Sequence, residues 1–178
     1  MGTFAVLDIE TLDISTTDSV ITEAAFIVVK DGERLIQEVT YPSIVEQIFL
    51  GRTISKETID FHLKNSYDKI YDPSHQITLD SFIENLTYKL KDVEAVWING
   101  MDFDLGNLNK LRQQVGIDKP LWNFRVTRDY RTIRVELGLQ ATEEEKQQHR
   151  LHTAMGDCEI MLYGVNRFYE LKEKLEAS

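Results

Sequence analysis

A β-strand near the start of the chain is predicted by the stretch Phe4-Ala5-Val6-Leu7-Asp8-Ile9-Glu10-Thr11. Its first residues are apolar and β-prone, and it ends in two carboxylates that stand two positions apart. Strand side chains alternate between the two faces of a sheet, so Asp8 and Glu10 leave the same face. Two anions beside an apolar strand repel each other and lose hydration, so they need a cation. Oxygen ligands at close range suit Mg²⁺ or Mn²⁺ better than zinc.

Three further residues complete this pattern. Asp104 directly follows Phe103 in the segment 99–104, and Asp157 lies inside the apolar pattern of the last predicted helix. A buried, unpaired carboxylate in a helix is expensive. His152 precedes Asp157 by five residues. Each residue alone is readily explained as a helix cap, a turn former or a surface charge, so only the complete set indicates a catalytic centre.

The four acids and the histidine resemble the DEDD exonucleases, specifically the branch in which a histidine lies five residues before the last aspartate. The sister branch has a tyrosine four residues before that aspartate, where this chain has Thr153. Finer similarity, through segments 53–55 and 128–132, is to the DexA-like phage exonucleases and related small bacterial 3′–5′ exoribonucleases. The resemblance implies an α/β, ribonuclease H-like fold, with a mixed sheet of an antiparallel three-stranded meander plus parallel strands, flanked by helices.

The resemblance also implies roles for the site residues. Asp8 would bridge two Mg²⁺ or Mn²⁺ ions, Glu10 and Asp157 would complete the site of the ion that activates water, and Asp104 would hold the other ion. His152 would accept the proton of the attacking water. An unperturbed imidazole has a pKa of about 6.5, so its neutral form is available at physiological pH.

Weaker predictions concern the surroundings of the site. Thr11 and Leu12 resemble family positions that contact the terminal nucleotide, the threonine through its backbone and the leucine as a wedge against a base. Loop packing explains both residues equally well. Asp102 is predicted to point away from the site, because it lies on the opposite side of Phe103. Four arginines recur at every third position and either pair with local acids, which we favour, or present a basic edge to phosphate: Arg125, Arg128, Arg131 and Arg134.

The implied activity is that of a metal-dependent 3′–5′ exonuclease that releases nucleoside 5′-monophosphates from the 3′ end of single-stranded RNA or DNA. No residue can be assigned to reading a 2′-hydroxyl, so the sugar stays open. One alternative is a phosphodiesterase or trimming enzyme for very short oligonucleotides. Another is a nucleic-acid-binding or regulatory module that keeps the fold without turnover, although such a module has no need of all four acids.

Length and composition favour a single exonuclease domain, residues 1–178, in the cytoplasm. With 178 residues and 42% apolar composition, the chain can bury one core. We see no apolar stretch of membrane-spanning length and no signal-peptide pattern. Cys158 has no cysteine partner for a disulfide and is predicted to be a core residue. The resemblance adds a homodimer to these expectations.

The net charge of −10 argues against a general nucleic-acid coat, because tight nonspecific binding to phosphates needs a basic surface. An enzyme that grips one chain end is less constrained, and bound divalent ions would neutralise part of this charge. The acidic run 143–145 is instead predicted to begin a helix, because Thr142 and Glu145 form a capping-box pattern.

Hydrophobic periodicity and turn residues predict the remaining elements. Asp31-Gly32 is predicted to be a tight hairpin turn between two strands. Strands are predicted at 4–11, 20–30, 33–41, 94–99 and 121–126. Helices are predicted after Ser55, after Thr78, at 104–115 and at 129–137. A last helix is predicted around Asp157, to the end of the apolar pattern at Phe168.

Overall fold

A mixed β-sheet of six strands forms the centre of the computed structural model, which describes residues 2–64 and 71–178. The strands are β1 (Thr3–Thr11), β2 (Ile21–Lys30), β3 (Glu33–Pro42), β4 (Gln76–Ile77), β5 (Ala95–Ile98) and β6 (Thr127–Asp129). Their order in the sheet is β4-β3-β2-β1-β5-β6. The first three strands form the predicted antiparallel meander, and β5 and β6 run parallel to β1.

Helices cover both faces of this sheet. Those of the described residues are α1 (Ile44–Phe49), α2 (Lys56–Lys64), α3 (Leu79–Lys89), α4 (Met101–Gln114), α5 (Tyr130–Leu137), α6 (Glu143–Lys146) and α7 (Ala154–Glu176). Apolar side chains of α3 and α4 fill the core on one face, and those of α5 and α7 fill the core on the other. None of the described helices is both long and apolar enough to cross a membrane.

β1 lies between these two cores. Its odd-numbered side chains at positions 5–9 pack under α3 and α4, whereas Phe4 and Val6 pack under α7. Because the alternation continues along the strand, Asp8 and Glu10 extend the α7 face at the carboxyl end of β1. The packing of one strand therefore fixes the positions of two acids.

Several local signals act as predicted. Asp31 and Gly32 have φ values of 50° and 87°, the pair of left-handed residues that a tight two-residue hairpin requires. The Thr78 side chain caps α3, and Thr142 and Glu145 form the predicted capping box at α6. Short-range hydrogen bonding decides these positions, which is why the sequence alone locates them.

The strand predicted over residues 121–126 is wrong. Leu121 and Trp122 are buried in the core on the α3 and α4 face, and Phe124–Val126 form a short 3₁₀ turn. Pairing with β5 begins only at β6. Leu121 and Trp122, which suggested a strand, are therefore buried core residues of the loop that precedes β6.

Smaller differences concern the helices. α4 begins at Met101 rather than at Asp104, directly after Gly100, which has a φ of 94°. α2 follows Ser55 as predicted, but it buries His62, and Leu63 is 66% exposed. The sequence predicts neither α1 nor β4, because both are too short to show a periodic pattern.

Candidate active site

Three carboxylates converge at the carboxyl end of β1. One oxygen from each of Asp8, Glu10 and Asp157 lies within 4.8 Å of the others. β1 carries the first two on its α7 face, and Asp157 reaches them from the first turn of α7. In residues 2–64 and 71–178, no second group of acidic, histidine or cysteine side chains converges in this way.

Asp104 approaches from the other face of the sheet. It lies in the first turns of α4, is 6% exposed, and accepts a hydrogen bond from the backbone N–H of Ile9. Burial raises the pKa of Asp8 well above its ordinary value, and the charge of Asp104 adds more to this shift than any other neighbour. Asp102 is exposed on the same helix. The structure therefore brings Asp104 to Asp8 and turns Asp102 away.

Burial raises the pKa of each acid in this cluster, and repulsion by neighbouring acids adds to the shift of Asp8, Glu10 and Asp104. Burial is the main cause for Glu10, whose pKa rises to about 8, and the charges of Asp157, Glu23 and Asp104 add to it. Burial also raises the pKa of Asp104 to about 7, against the opposing effect of backbone N–H groups. The folded chain thus favours neutral acids here unless a cation takes the place of the protons.

His152 lies in the turn immediately before α7. Its backbone is left-handed, with a φ of 58°, which is uncommon for a residue with a side chain and recurs at functional sites. The exposed ring packs edge-on against Phe61, with 5.4 Å between ring centroids. Burial raises the pKa of Asp157, and the ring and backbone N–H of His152 oppose this shift. The histidine is therefore held beside that carboxylate.

The junction between this turn and α7 is tightly fixed. The Thr153 hydroxyl donates to the Arg150 carbonyl over 2.9 Å and accepts from the Gly156 N–H over 3.1 Å. A Cβ atom on Gly156 would collide with the same Arg150 carbonyl oxygen, so only glycine fits. These contacts set the distance between His152 and Asp157.

Glu23 is a further buried acid, which the sequence analysis missed. It stands opposite Glu10 in the β1–β2 pair, and opposite residues of an antiparallel pair share a face. Burial raises the pKa of Glu23, while hydrogen bonds from the backbone N–H groups of Met155 and Ala154 lower it. Glu23 therefore binds the first turn of α7, whose N–H groups have no partner within the helix. A lone acid inside the apolar strand 21–29 was the signal that could have revealed it.

A cavity of about 650 Å³ opens beside the cluster. Glu10 and His152 lie on its lining together with Thr11 and the aromatic rings of Phe61 and Phe103. The Thr11 side chain is buried and donates to the Asp13 carbonyl over 2.9 Å. An aromatic cavity that ends in carboxylates is suited to a nucleoside whose phosphate meets a metal site.

Leu12 does not line this cavity. It is 2% exposed, and its backbone bonds to Val20 and Ser55 fix the loop that follows β1. Ile14, which is 78% exposed, lines the cavity from the same loop. The wedge role of Leu12 stays a prediction, and Ile14 is the residue of this loop with an apolar side chain available to a base.

A smaller cavity of about 230 Å³ lies on the other side of His152. Asp8 and Asp157 line it, together with Asn99 and Arg134. Asn99 Oδ1 is buried and has no hydrogen-bond partner among the described residues, so it is an acceptor close to Asp8 that the sequence analysis did not single out. The cavity is thus lined both by acids of the cluster and by the polar side chains of Asn99 and Arg134.

The four arginines at three-residue spacing do not behave alike. Arg131 lies beside Asp104 and lowers its pKa, and Arg134 faces the smaller cavity. Arg128 donates to two backbone carbonyls, and Arg125 lies over the ring of Phe124. The favoured pairing with acids therefore applies at most to Arg131.

Without divalent ions, the protein should lose stability as the pH rises. The pKa of Glu10, about 8, and that of Asp104, about 7, exceed the ordinary values of about 4 expected in the unfolded chain. The folded chain then binds more protons between these values, so the free energy of unfolding falls from about pH 4 to about pH 8. Melting temperatures in chelator should show this fall, and Glu10→Gln should flatten it. Millimolar Mn²⁺ should restore the wild-type melting temperature at pH 8, and an identical pH profile for Glu10→Gln would contradict the assignment.

Two substitutions of Glu23 should separate its charge from its hydrogen bonding. Both Glu23→Gln and Glu23→Ala relieve repulsion in the cluster, but only the glutamine keeps an oxygen acceptor for the Ala154 and Met155 N–H groups. We expect Glu23→Ala to be less stable than Glu23→Gln by about 1–2 kcal/mol in denaturant titrations. Glu33→Ala, at an exposed site, is the control. Equal stability of the two Glu23 variants would show that the carboxylate does not hold α7.

Comparisons with known proteins agree with this geometry. The model of one family, described as the 3′–5′ exoribonuclease Rv2179c-like domain, matches residues 3–163. No curated protein sequence matches the chain at a significant level.

Solved structures of exonuclease I share the fold. The E. coli enzyme in complex with a dT13 oligonucleotide aligns with a TM-score of 0.68 at 14% identity, over 99% of this chain and 46% of that chain. A product-bound exonuclease I gives a TM-score of 0.65 at 14% identity, over 99% and 48% of the two chains. The zinc-ion-bound form of the E. coli exonuclease I–ssDNA complex gives 0.58 at 13% identity, over 97% and 41%. The chain thus spans less than half the length of these proteins.

These matches confirm the predicted ribonuclease H-like fold. The family match covers nearly all of the sheet and its helices up to the middle of α7, including the four acids and His152. The chain therefore belongs to the family of Rv2179c-like 3′–5′ exoribonuclease domains.

Proposed function

We propose that this chain is a metal-dependent exonuclease of the histidine-containing DEDD branch, which removes nucleoside 5′-monophosphates from the 3′ end of single-stranded RNA or DNA. The observation that carries the proposal is the convergence of Asp8, Glu10 and Asp157 within 4.8 Å, with Asp104 beside Asp8, at one end of an aromatic cavity. One domain, residues 1–178, would carry out the whole reaction.

The donor set fits Mg²⁺ or Mn²⁺. All four side chains offer carboxylate oxygens, and because burial raises the pKa of each, a bound cation would stabilise their charged forms. Following the family resemblance, Asp8 would bridge two ions, Glu10 and Asp157 would complete one site, and Asp104 would complete the other. When bound, the two ions would polarise the phosphate, make the attacking water more acidic and neutralise charge on the leaving oxygen.

The larger cavity would hold the terminal nucleoside. Phe61 is 40% exposed at its wall and Phe103 lines it as well, so both rings have surface available to a base. Stacking on an aromatic ring requires an unpaired base, which favours single strands over duplexes. The loop residue Thr11 would position the nucleotide through its backbone, next to the carboxylates.

His152 would act as the general base. Its ring stands beside Asp157 at the boundary of the two cavities, where it can reach a water close to the acids. As the water oxygen bonds to phosphorus, its proton moves to the imidazole, and the bond from phosphorus to the 3′-oxygen breaks. The leaving 3′-oxygen takes a proton from solvent, so the shortened strand keeps a 3′-hydroxyl, and the released nucleotide carries the 5′-phosphate.

A cytoplasmic location and a homodimer also belong to this proposal, the second from the family resemblance alone. Sedimentation of the purified chain would test the dimer. The alternative function, a nucleic-acid-binding module without turnover, predicts binding of a strand but no release of nucleotides.

Digestion of end-labelled oligonucleotides tests the function directly. Matched RNA and DNA strands, labelled at the 5′ or the 3′ end, are incubated with Mg²⁺, Mn²⁺, Zn²⁺ or a chelator. We expect a ladder from the 5′-labelled strand, immediate release of labelled mononucleotide from the 3′-labelled strand, and no reaction in chelator. Full hydrolysis in excess chelator would refute the metal requirement. Binding without hydrolysis in Mg²⁺ and Mn²⁺ would refute the proposed activity and favour the binding module.

The two aspartates of α4 provide a matched pair of variants. Asp104→Asn removes a ligand candidate that is 6% exposed, whereas Asp102→Asn changes an exposed acid two positions away. We expect Asp104→Asn to lose several orders of magnitude in turnover and Asp102→Asn to stay active. In chelator, Asp104→Asn should melt no lower than the wild type, because it relieves repulsion with Asp8. An inactive Asp102→Asn beside a healthy Asp104→Asn would reverse the assignment.

A second matched pair tests the general base. His152→Ala should lose about two to four orders of magnitude in turnover, the usual contribution of a positioned base. His149→Ala, which removes a ring bonded to the Tyr163 hydroxyl, should stay active. An imidazole accepts a proton only when neutral, so the fall of the wild-type rate at acid pH should weaken in His152→Ala. Mn²⁺ binding should persist in both variants. Near-normal turnover of His152→Ala would show that another group takes the proton.

A further inference from the structure

A groove of about 400 Å³ lies between the end of α3 and the loop that leads to β6. Two lysines line it, together with an indole and a phenyl ring, and the described residues contribute no acid to its lining. We call it the α3 groove and define it by the side chains that matter for its chemistry: Lys91, Lys119, Trp122 and Phe124.

Two exposed aromatic rings in or next to this groove stand beside cations. Phe124 is 77% exposed, and the guanidinium of Arg125 lies 5.8 Å from its ring centroid. Tyr88, a neighbour of the groove residue Lys91, is 66% exposed, and the Lys91 ammonium lies 4.5 Å from its ring centroid. Exposed rings beside cations offer stacking surfaces for bases and charges for phosphates.

The wall of the α3 groove is rigid. Trp122 is 6% exposed, and its indole N–H donates to the Thr127 hydroxyl over 3.0 Å. Arg112, also buried, donates to the backbone carbonyls of Ile117 and Lys119 and so fixes the loop that carries the second lysine. A preformed wall lowers the ordering cost of binding.

The charge of the groove is opposite to that of the chain. Acids outnumber lysine and arginine by 30 to 20 overall, yet three cations stand at or beside this groove. Lys91 approaches Asp92 only at 3.9 Å, in an exposed pair, and such pairs contribute little. A polyanion is therefore the ligand that this surface fits.

The α3 groove lies at the opposite edge of the sheet from the carboxylates. Its loop enters the amino end of β6, which runs parallel to β5 and, through it, to β1, whereas Asp8 and Glu10 lie toward the carboxyl end of β1. From Thr3 to Glu10, a strand covers about 23 Å at roughly 3.3 Å per residue. At the axial rise of about 3.4 Å per nucleotide, a stacked strand needs about seven nucleotides to cover that distance, and an extended strand needs fewer.

We propose that the α3 groove is a second binding site for single-stranded nucleic acid, which holds the upstream part of a long substrate while its 3′ end occupies the active site. Bases would stack on Tyr88 and Phe124, and phosphates would contact Lys91 and Lys119. The identity of the strand as a substrate rests on the proposed function, but the site itself is separate from the carboxylates. The site would increase the affinity for long strands and leave the affinity for dinucleotides unchanged.

Two double variants test the site with defined probes. Tyr88→Ala/Phe124→Ala removes the stacking rings, and Lys91→Gln/Lys119→Gln removes the charges. For a fluorescent oligothymidylate of about 20 nucleotides, each should raise Kd and KM about tenfold and leave kcat unchanged. For a dinucleotide, kcat and KM should stay at wild-type values. The lysine variant should also reduce the salt slope of log Kd by about 1.4, which corresponds to two phosphate contacts.

Control variants at other exposed sites exclude effects of net charge and of general apolar surface. Lys172→Gln/Lys174→Gln changes two exposed lysines near the end of α7, and Phe49→Ala removes a ring that is 86% exposed. Both should bind the long strand like the wild type. The inference is overturned if the groove variants bind the long strand within about twofold of the wild type, if the controls weaken binding equally, or if dinucleotide turnover falls in parallel.

Binding measured in chelator keeps this test independent of catalysis. If the wild type binds the long strand but releases no nucleotide with Mg²⁺ or Mn²⁺, the proposed function fails, and the Kd values of the groove variants still decide the site. If the wild type degrades long and short strands and the groove variants match it on both, the site fails while the proposed function stands.

Discussion

Repulsion among four carboxylates that are buried or half-buried is the constraint on which the rest of this structure depends. Asp8, Glu10, Asp104 and Asp157 come from three elements on both faces of the sheet, and the fold holds them together although burial raises the pKa of each. The opposing free energy comes from the two apolar cores. β1 contributes side chains to both cores and continues without interruption into the acids, so any movement that separates the acids also disturbs the packing of the strand.

The second requirement is a fixed junction before α7, because this junction carries both the last acid and the histidine. Three features of this junction depend on one another: the left-handed backbone of His152, the Thr153 cap and the glycine at position 156. A substitution at any one of them would disturb the backbone that the other two require. Glu23 of β2 accepts hydrogen bonds from the backbone N–H groups of Ala154 and Met155, in the first turn of α7. The proposed role of His152 as proton acceptor requires a controlled distance from the reacting water, and the hydrogen bonds of this junction, rather than bonds of the ring, fix the position of the residue.

Sequence reasoning located the features that depend on local patterns. The period of two in β1, the Asp31-Gly32 turn and the capping box at Thr142 all act within a few residues, and the structure agrees with each. It failed where long-range pairing decides the outcome. The run 121–126 has strand propensity, yet pairing with β5 begins only at Thr127, so the run is a loop. Glu23 acquires its role only through its position opposite Glu10 in the β1–β2 pair. The family resemblance aligned Asp104 and Asp157, which no periodic pattern could bring together.

The distribution of charge is compatible with the proposed binding of a polyanion by a chain with a net charge of −10. Cations spread over the whole surface would retain product as readily as substrate, and they would also compensate the carboxylates that we propose as metal ligands. In this chain the acids occupy the carboxyl edge of the parallel strands, and cations with exposed rings occupy the amino edge. At a physiological Debye length of about 8 Å, the two edges scarcely influence each other. Metal binding at the carboxylates and the proposed binding of nucleic acid at the α3 groove can therefore be tuned separately. The length of the nucleic acid would determine whether both sites contribute to affinity.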